Sequence, residues 1–234
     1  MIADFPSGFN FNKIKSDEHL YQIENNGILS RVIINNSPYA HCHSLIVPEP
    51  EKEHVQLLSG TTIEVALELM MQSNHIGYKI LFNSVCACAS VNHLHLHQYY
   101  TDYRIPAEDI ECEPIMSIAS KVSKKEEGLF VIKPSYPVRG LVLEGKNISR
   151  MQCVSFISVH ESLIKQTALF MTQMCNKLAE DDVPHNVAFI RGSPLRYDPT
   201  SPAPNDDYVV RVYLWPRRPT LGKRVNYSYL SVFI

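Results

Sequence analysis

Three histidines alternate with two leucines in the heptapeptide 92–98, Asn-His-Leu-His-Leu-His-Gln. Because side chains alternate across a strand, this spacing predicts that His93, His95 and His97 share one face, about 6 to 7 Å apart, while the leucines point into the core. The reference pKa of histidine, about 6.5, lies close to neutral pH. A neutral imidazole on a rigid strand can therefore act as a nucleophile or as a metal ligand.

The residues directly before the histidines favour phosphate chemistry. Residues 84–91 are mostly small, and small side chains let backbone N–H groups approach phosphate oxygens. Asn83 and Ser90 add neutral hydrogen-bonding groups. On this interpretation one histidine attacks an α-phosphate and forms a covalent phosphohistidine. The flanking histidines then contact the phosphate oxygens and offset the charge that develops in the transition state.

Two other interpretations of the histidines stay open. One is a polar sheet face without a chemical role. The other is a zinc site in which Cys86 and Cys88 complete a tetrahedral ligand set. The single residue between the two cysteines is shorter than the usual zinc-knuckle spacing, and no nearby acid would orient the ring nitrogens. The spacing therefore favours phosphate chemistry over metal binding.

Composition excludes several classes of protein. With 9 glycines in 234 residues, the chain contains neither of the two commonest glycine-rich nucleotide motifs. A net charge of -2 argues against a nucleic-acid partner. No stretch approaches the roughly 20 apolar residues of a membrane span, and the first ten residues lack the features of a signal peptide. The six scattered cysteines are typical of cytosolic thiols, so we expect a cytoplasmic protein.

Hydrophobic patterning predicts two halves with the same order of elements: strand, strand, helix, strand, strand. The predicted strands are 28–34, 43–47, 78–85 and 91–100, then 129–132, 140–143, 186–191 and 209–215. The predicted helices are 51–74 and 148–181, and the predicted exposed loops are 121–128 and 193–207. Asn83 and Asn186 are expected to face each other across the two halves. The pattern indicates a degenerate duplication and an α+β fold, a mostly antiparallel sheet with helices packed on one face.

The segment 83–97 resembles the active-site segment of the histidine-triad superfamily. Residues 43–48 are similar to the upstream strand of that superfamily, with Cys42 where glycine is usual. The internal duplication resembles the galactose-1-phosphate uridylyltransferase branch. Residues 9–14, together with the tyrosine pair that follows the histidines, are closer still to the GDP-D-glucose phosphorylases, the animal relatives of the plant GDP-L-galactose phosphorylases.

The resemblance implies a nucleotidyltransferase with a two-step reaction. His95 would attack the α-phosphorus of GDP-glucose and release glucose 1-phosphate, and inorganic phosphate would then accept GMP from the histidine to give GDP. Asn83, Ser90, His93 and His97 would bind or orient the phosphates. No metal or other cofactor is implied. A nucleotide-sugar hydrolase of the same superfamily and a catalytically inactive nucleotide-binding protein stay open as alternatives.

The resemblance also implies unequal halves. Residues 1–120 would be the catalytic half, and residues 121–234 a second half without the triad. Because family members are longer at both ends, the second half is expected to be truncated, and strand edges left open would favour a homodimer. Four basic residues of the second half are explained more readily as solvated surface charge than as nucleotide contacts: Arg211, Arg217, Arg218 and Lys223.

Overall fold

Ten strands and two helices make up the part of the chain that the computed structural model describes, residues 8–25, 27–73, 75–117, 127–137, 140–145, 157–192 and 209–217. The strands are β1 (His19–Asn25), β2 (Ile28–Ile34), β3 (His41–Pro48), β4 (Tyr78–Asn83), β5 (Leu96–Tyr100), β6 (Cys112–Ser117), β7 (Glu127–Ile132), β8 (Leu141–Gly145), β9 (His185–Gly192) and β10 (Val209–Pro216). The helices are α1 (Gly60–Gln72) and α2 (Ile157–Glu180). Short 3-10 helices lie at Phe11–Lys13, Ser16–Glu18, Pro50–Lys52 and Pro106–Glu108.

All the described strands pair antiparallel in one sheet, in the order β1-β2-β3-β5-β4-β9-β10-β8-β7-β6. Counted from its own edge inward, each half has the same order: three consecutive strands, then the fifth strand, then the fourth strand at the centre. In both halves a helix connects the third strand to the fourth. The predicted α+β fold with a duplicated unit is therefore confirmed, and the halves meet where β4 pairs with β9.

The first strand of each half was not predicted. β1 lies at one edge of the sheet and its side chains are mostly exposed, so it lacks the apolar run that marks a buried strand. β6 lies at the other edge and contains Pro114. Proline is tolerated in edge strands but argues against a strand when only the sequence is known.

The helix predicted over 51–74 is wrong before Gly60. The backbone is left-handed at Glu49 and Glu53, on either side of the short 3-10 helix between them, and this conformation interrupts a helix. α1 begins after Ser59, whose hydroxyl accepts a hydrogen bond from the N–H of Thr62. This is the usual N-cap arrangement, and it satisfies one of the N–H groups that a helix start leaves without a partner.

The second predicted helix is confirmed over α2, and its predicted start, 148–156, lies outside the described residues. The predicted loop 193–207 also lies outside them, as does the loop 121–128 except for the two residues that begin β7. Among the described residues, no helix is both long enough and apolar enough to cross a membrane.

The main hydrophobic core lies between the sheet and the two helices. α1 and α2 pack against each other over this core, and both bury the apolar stripes that their spacing predicts. The buried helical side chains are Ile63, Ala66, Leu67 and Met70 of α1, and Ile164, Ala168, Met171 and Cys175 of α2. The sheet contributes residues of both halves, among them Ile46, Phe82, Leu96, Val187, Phe189 and Val212.

Since Leu96 faces the helices, alternation along β5 places His97 on the opposite side of the sheet, called the histidine face below. Two smaller apolar clusters cover this face. One is built on Phe11, Leu45 and Val47 beside β3. The other lies under residues 105–110 and includes Ala188 and other residues of the second half. The strands β5 and β4 run between these two clusters.

Arg191 connects the second half to the helix of the first. From β9 its guanidinium donates hydrogen bonds to the carbonyl oxygens of Met70 and Ser73, at the C-terminal end of α1. The last carbonyls of a helix have no partner within it, and a positive charge is favourable at that end. The second half therefore supplies hydrogen-bond donors for the C-terminal end of the helix in the first half.

Buried charges fasten residues 105–110 to the histidine face. The Lys79 Nζ atom lies 2.7 Å from Glu108 Oε1, and the two side chains are 0% and 2% exposed. Arg211, in β10, donates to the carbonyl oxygen of Ile110 at 3.4 Å and to the Tyr213 hydroxyl at 3.0 Å. Because Arg211 is buried, the solvated surface role predicted for it is wrong.

Replacing Glu108 with alanine is expected to lower the free energy of unfolding by about 3–5 kcal/mol, because the Lys79 ammonium stays buried without its carboxylate. The double variant Glu108→Ala/Lys79→Met removes the stranded charge and should be more stable than the single variant. Urea denaturation followed by circular dichroism measures both. A double variant as unstable as the single one, or more so, would contradict this role for the ion pair.

Candidate active site

His95 lies directly before β5 and is buried. Its Nδ1 atom is 2.8 Å from the carbonyl oxygen of His93. A carbonyl oxygen only accepts hydrogen bonds, so Nδ1 of the neutral ring holds the proton and Nε2 keeps the lone pair. The backbone therefore fixes His95 in the tautomer that a nucleophile attacking through Nε2 requires.

The same burial keeps the ring uncharged. Loss of solvation lowers the pKa of His95 to about 4 and the pKa of His43 to about 4. Burial, followed by the neighbouring His95 and His43, holds the pKa of His97 well below its ordinary value. At pH 7 these three imidazoles are neutral, so they offer lone pairs and N–H donors but no positive charge.

His95, His97 and His43 form a row of rings on the histidine face. The ring centroids of His95 and His97 are 5.2 Å apart, as are those of His97 and His43. The His97 Nδ1 and His43 Nε2 atoms lie 3.0 Å apart, so one proton is shared between them. His43 was not predicted as a site residue, although it heads the strand segment 43–48 that carried part of the family resemblance.

His93 does not extend this row. Its Nδ1 atom accepts a hydrogen bond of 3.0 Å from the backbone N–H of Phe11, and its ring packs on that of Phe11 at 5.3 Å. Pro50 and Glu53 are among its other neighbours.

The strand predicted over 91–100 begins only at Leu96. Leu94 and Leu96 nevertheless both lie in the core beside the helices, and the Phe11 ring contacts both His93 and His95, so the predicted separation of leucines from histidines holds.

Asn83 and Asn186 meet at the junction of the two halves, as predicted. They are paired residues of β4 and β9, and the Asn186 side-chain N–H₂ donates to Asn83 Oδ1 at 2.6 Å. Arg217, from the end of β10, donates to Asn186 Oδ1 at 3.1 Å and lies 3.7 Å from the Cys88 sulfur. The second half thus brings an amide and a guanidinium beside Asn83, which the surface-charge interpretation of Arg217 missed.

The loop after β4 carries the small residues noted in the sequence. Cys86 and Cys88 adopt φ angles of 62° and 78°, in the left-handed region that costs a non-glycine residue about 1–3 kcal/mol. The Asn186 side chain holds the loop by donating to the Ala87 carbonyl oxygen at 2.8 Å. Ser90 is exposed at the end of this loop, and its phosphate-binding role stays a prediction.

The zinc alternative requires Cys86 and Cys88 to meet the histidines. Across the described parts of the chain, no group of three or more His, Cys, Asp or Glu side chains is arranged so that it could hold a metal ion. The thiol of Cys88 lies beside the Arg217 guanidinium.

The fold is shared with a solved structure of a nucleotide-sugar phosphorylase. The solved structure of an ADP-glucose phosphorylase from Arabidopsis thaliana with bound ADP-glucose matches with a TM-score of 0.51 at 14% identity, covering 88% of this chain and 78% of that one. Residues 4–99 match the family model described as GDPGP1-like, N-terminal domain.

Sequence relatives of the chain include GDP-D-glucose phosphorylases. The chain is 30% identical over 229 residues to GDP-D-glucose phosphorylase 1 of Bos taurus, covering 93% of this chain and 52% of the relative. It is 31% identical over 222 residues to the protein of the same name from Danio rerio, covering 94% and 57%. The predicted resemblance to GDP-D-glucose phosphorylases is confirmed, and the chain spans about half the length of the curated relatives it matches.

Acid is expected to destabilise the fold between about pH 6.5 and pH 4. In this window the unfolded chain binds protons at His43 and His95 that the folded chain, with both pKa values lowered to about 4, does not bind. The two histidines therefore contribute their full stabilisation above pH 6.5, and the free energy of unfolding falls as the pH falls below that value. Urea denaturation at pH 7, 6 and 5 measures the slope. His95→Gln should reduce it, whereas a change at the exposed His41, His41→Gln, should not; an equal slope in all three proteins would contradict the lowered pKa values.

Proposed function

We propose that the chain carries the transfer centre of a GDP-D-glucose phosphorylase, a nucleotidyltransferase that moves GMP from GDP-glucose to inorganic phosphate. The observation that carries the proposal is the buried, neutral His95, whose Nε2 lone pair is fixed by the His93 carbonyl. The names of the sequence relatives support the substrate. We also propose that residues 1–120 carry catalysis and that residues 121–234 support it.

In the first step Nε2 of His95 attacks the α-phosphorus of GDP-glucose. The bond from that phosphorus to the bridging oxygen breaks, and glucose 1-phosphate leaves with the oxygen. The ring becomes positively charged as the N–P bond forms, and the His93 carbonyl oxygen beside Nδ1–H stabilises that charge. In the second step an oxygen of inorganic phosphate attacks the same phosphorus, the N–P bond breaks, and GDP forms.

The substrates bring negative charge to a row of neutral histidines. We propose that Asn83, Ser90 and His97 donate hydrogen bonds to the phosphate oxygens, and that Arg217 supplies the positive charge that the histidines lack. The bond between Arg217 and Asn186 supports this role, because it holds the guanidinium next to Asn83. The buried ring of His93 supports a positioning role for that residue.

A cytoplasmic location also belongs to the proposal. The described cysteines, Cys42, Cys86, Cys88, Cys112 and Cys175, are all free. Free thiols persist in a reducing compartment, whereas secreted proteins commonly pair them.

Mixing the chain with GDP-glucose in the absence of phosphate is expected to yield protein labelled with GMP, because the second step has no acceptor. His95→Ala should abolish the label, and His41→Gln, a change at an exposed histidine of β3, should leave it intact. Intact-protein mass spectrometry measures the label. A label that persists in His95→Ala would overturn the assignment of the nucleophile.

The products separate the phosphorylase from its alternatives. Adding phosphate to the labelled protein should release GDP. Release of GMP at a rate independent of phosphate would identify a hydrolase. Binding of GDP-glucose by calorimetry without label or product would identify a catalytically inactive nucleotide-binding protein.

Arg217→Ala is expected to lower kcat for phosphorolysis by about 10²-fold, in the range found when a charge-stabilising donor is removed from an active site. Arg217→Lys should recover part of the loss. Lys133→Ala removes a partly exposed cation that pairs with Glu111 and serves as the matched control. Steady-state kinetics at varied phosphate measures the three variants, and an unchanged kcat in Arg217→Ala would leave the guanidinium with a structural role only.

A further inference from the structure

The ladder between β4 and β5 ends just before the nucleophile. Its last pair is Leu81 with His97, and the same register two residues further on would pair Asn83 with His95. That pair does not form. Instead the carboxamide of Gln56 lies between the two backbones: its Nε2 atom donates to the carbonyl oxygen of Asn83 at 2.8 Å and to that of His95 at 3.1 Å, while Oε1 accepts from the His95 N–H at 2.9 Å.

The inserted carboxamide separates the two strands. Paired strands lie about 4.7–4.9 Å apart because a single hydrogen bond spans the gap. Here two hydrogen bonds and an amide group span it, so β4 and β5 diverge at the level of His95. Gln56 therefore sets the separation between the backbones of Asn83 and His95, two residues that are proposed to act on the phosphates. The divergence also explains why β5 begins only at Leu96.

Gln56 has one orientation that satisfies all its partners. It is buried, and reversing the amide would set its N–H₂ group against the His95 N–H and its oxygen against two carbonyl oxygens. Its own backbone N–H donates to Asn92 Oδ1 at 3.0 Å, and the neighbouring His54 carbonyl accepts from the Leu94 N–H at 2.7 Å. The segment that carries Gln56 is therefore bonded to the segment that carries the histidines.

We propose that Gln56 is a positioning residue for the transfer reaction. It fixes the backbone of His95, and with it the direction of the Nε2 lone pair, and it sets the gap between His95 and Asn83. This inference rests on the proposed function for its kinetic consequence only. The role needs both a donor and an acceptor at one side-chain end, which is why an isosteric apolar residue cannot replace it.

Gln56→Met keeps the length of the side chain and removes its hydrogen bonds. The rate of GMP labelling in a single turnover should fall about 10- to 100-fold, since misplacement of a reacting group by about 1 Å has an effect of that size, while KM for GDP-glucose changes less than about 3-fold. Gln98→Met is the matched control. Gln98 is equally a buried glutamine, but it bonds to Tyr78 and Ser44, so its loss should lower stability without selectively slowing the labelling.

In Gln56→Glu, lowering the pH is expected to restore part of the labelling rate, which a purely structural role would not predict. Its carboxylate still accepts from the His95 N–H, but it donates to neither carbonyl until it is protonated. The labelling rate of this variant, relative to the unsubstituted protein, should therefore rise as the pH falls. A pH profile parallel to that of the unsubstituted protein would overturn the proposal.

Amide hydrogen exchange tests the same proposal without any turnover. Exchange at the His95 N–H should accelerate at least 10-fold in Gln56→Met and stay unchanged in Gln98→Met, because Gln56 Oε1 is the acceptor of that N–H. If the unsubstituted chain takes no label from GDP-glucose, the proposed function fails and the exchange result still decides on Gln56. Unchanged exchange in Gln56→Met, or equal slowing of labelling in both methionine variants, would overturn the positioning role.

Discussion

The hydrogen bond from His95 Nδ1 to the His93 carbonyl oxygen is the constraint on which the rest of the site depends. It joins two residues of the same short segment, so it needs that segment to leave the extended conformation of a strand. Burial then makes the bond decisive, because a ring with a pKa of about 4 has no second proton at neutral pH. The surrounding contacts hold this one bent segment: the N–H of Phe11 on His93 and the carboxamide of Gln56 on His95.

Each half contributes different residues to the junction between β4 and β9. The first half supplies the histidine row, and the second half supplies Asn186 and Arg217 beside Asn83 and completes α1 through Arg191. This division follows from the antiparallel pairing of β4 with β9, which places the end of one strand against the start of the other. In the proposed reaction, the second half therefore supplies a positive charge and the first half supplies the nucleophile.

The sequence predicted the fold class and most strands, because buried strands and helices carry strong apolar patterns, as in β4, β9 and β10. It missed β1, whose exposed edge position leaves no such pattern. The structure brings the predicted His95 and His97 side by side and places Asn83 at the junction of the halves, while their roles stay a prediction. Gln56 and His43 bond to residues that are distant in sequence, and one sequence carries no signal of such contacts. The strand predicted over 91–100 begins only at Leu96 because the Gln56 side chain takes the place of the backbone pairing at His95.

The equal strand order of the two halves has an evolutionary consequence. β10 occupies in the second half the place that β5 occupies in the first, yet no histidine remains along it. The halves are joined through β4 and β9. Without the second half, β4 would be an exposed edge strand and the last carbonyls of α1 would lose the hydrogen bonds from Arg191. The backbone of the second half is therefore needed where it lies, although β10 carries no histidine. The relationship between the two halves is visible in their strand order and no longer in their residues.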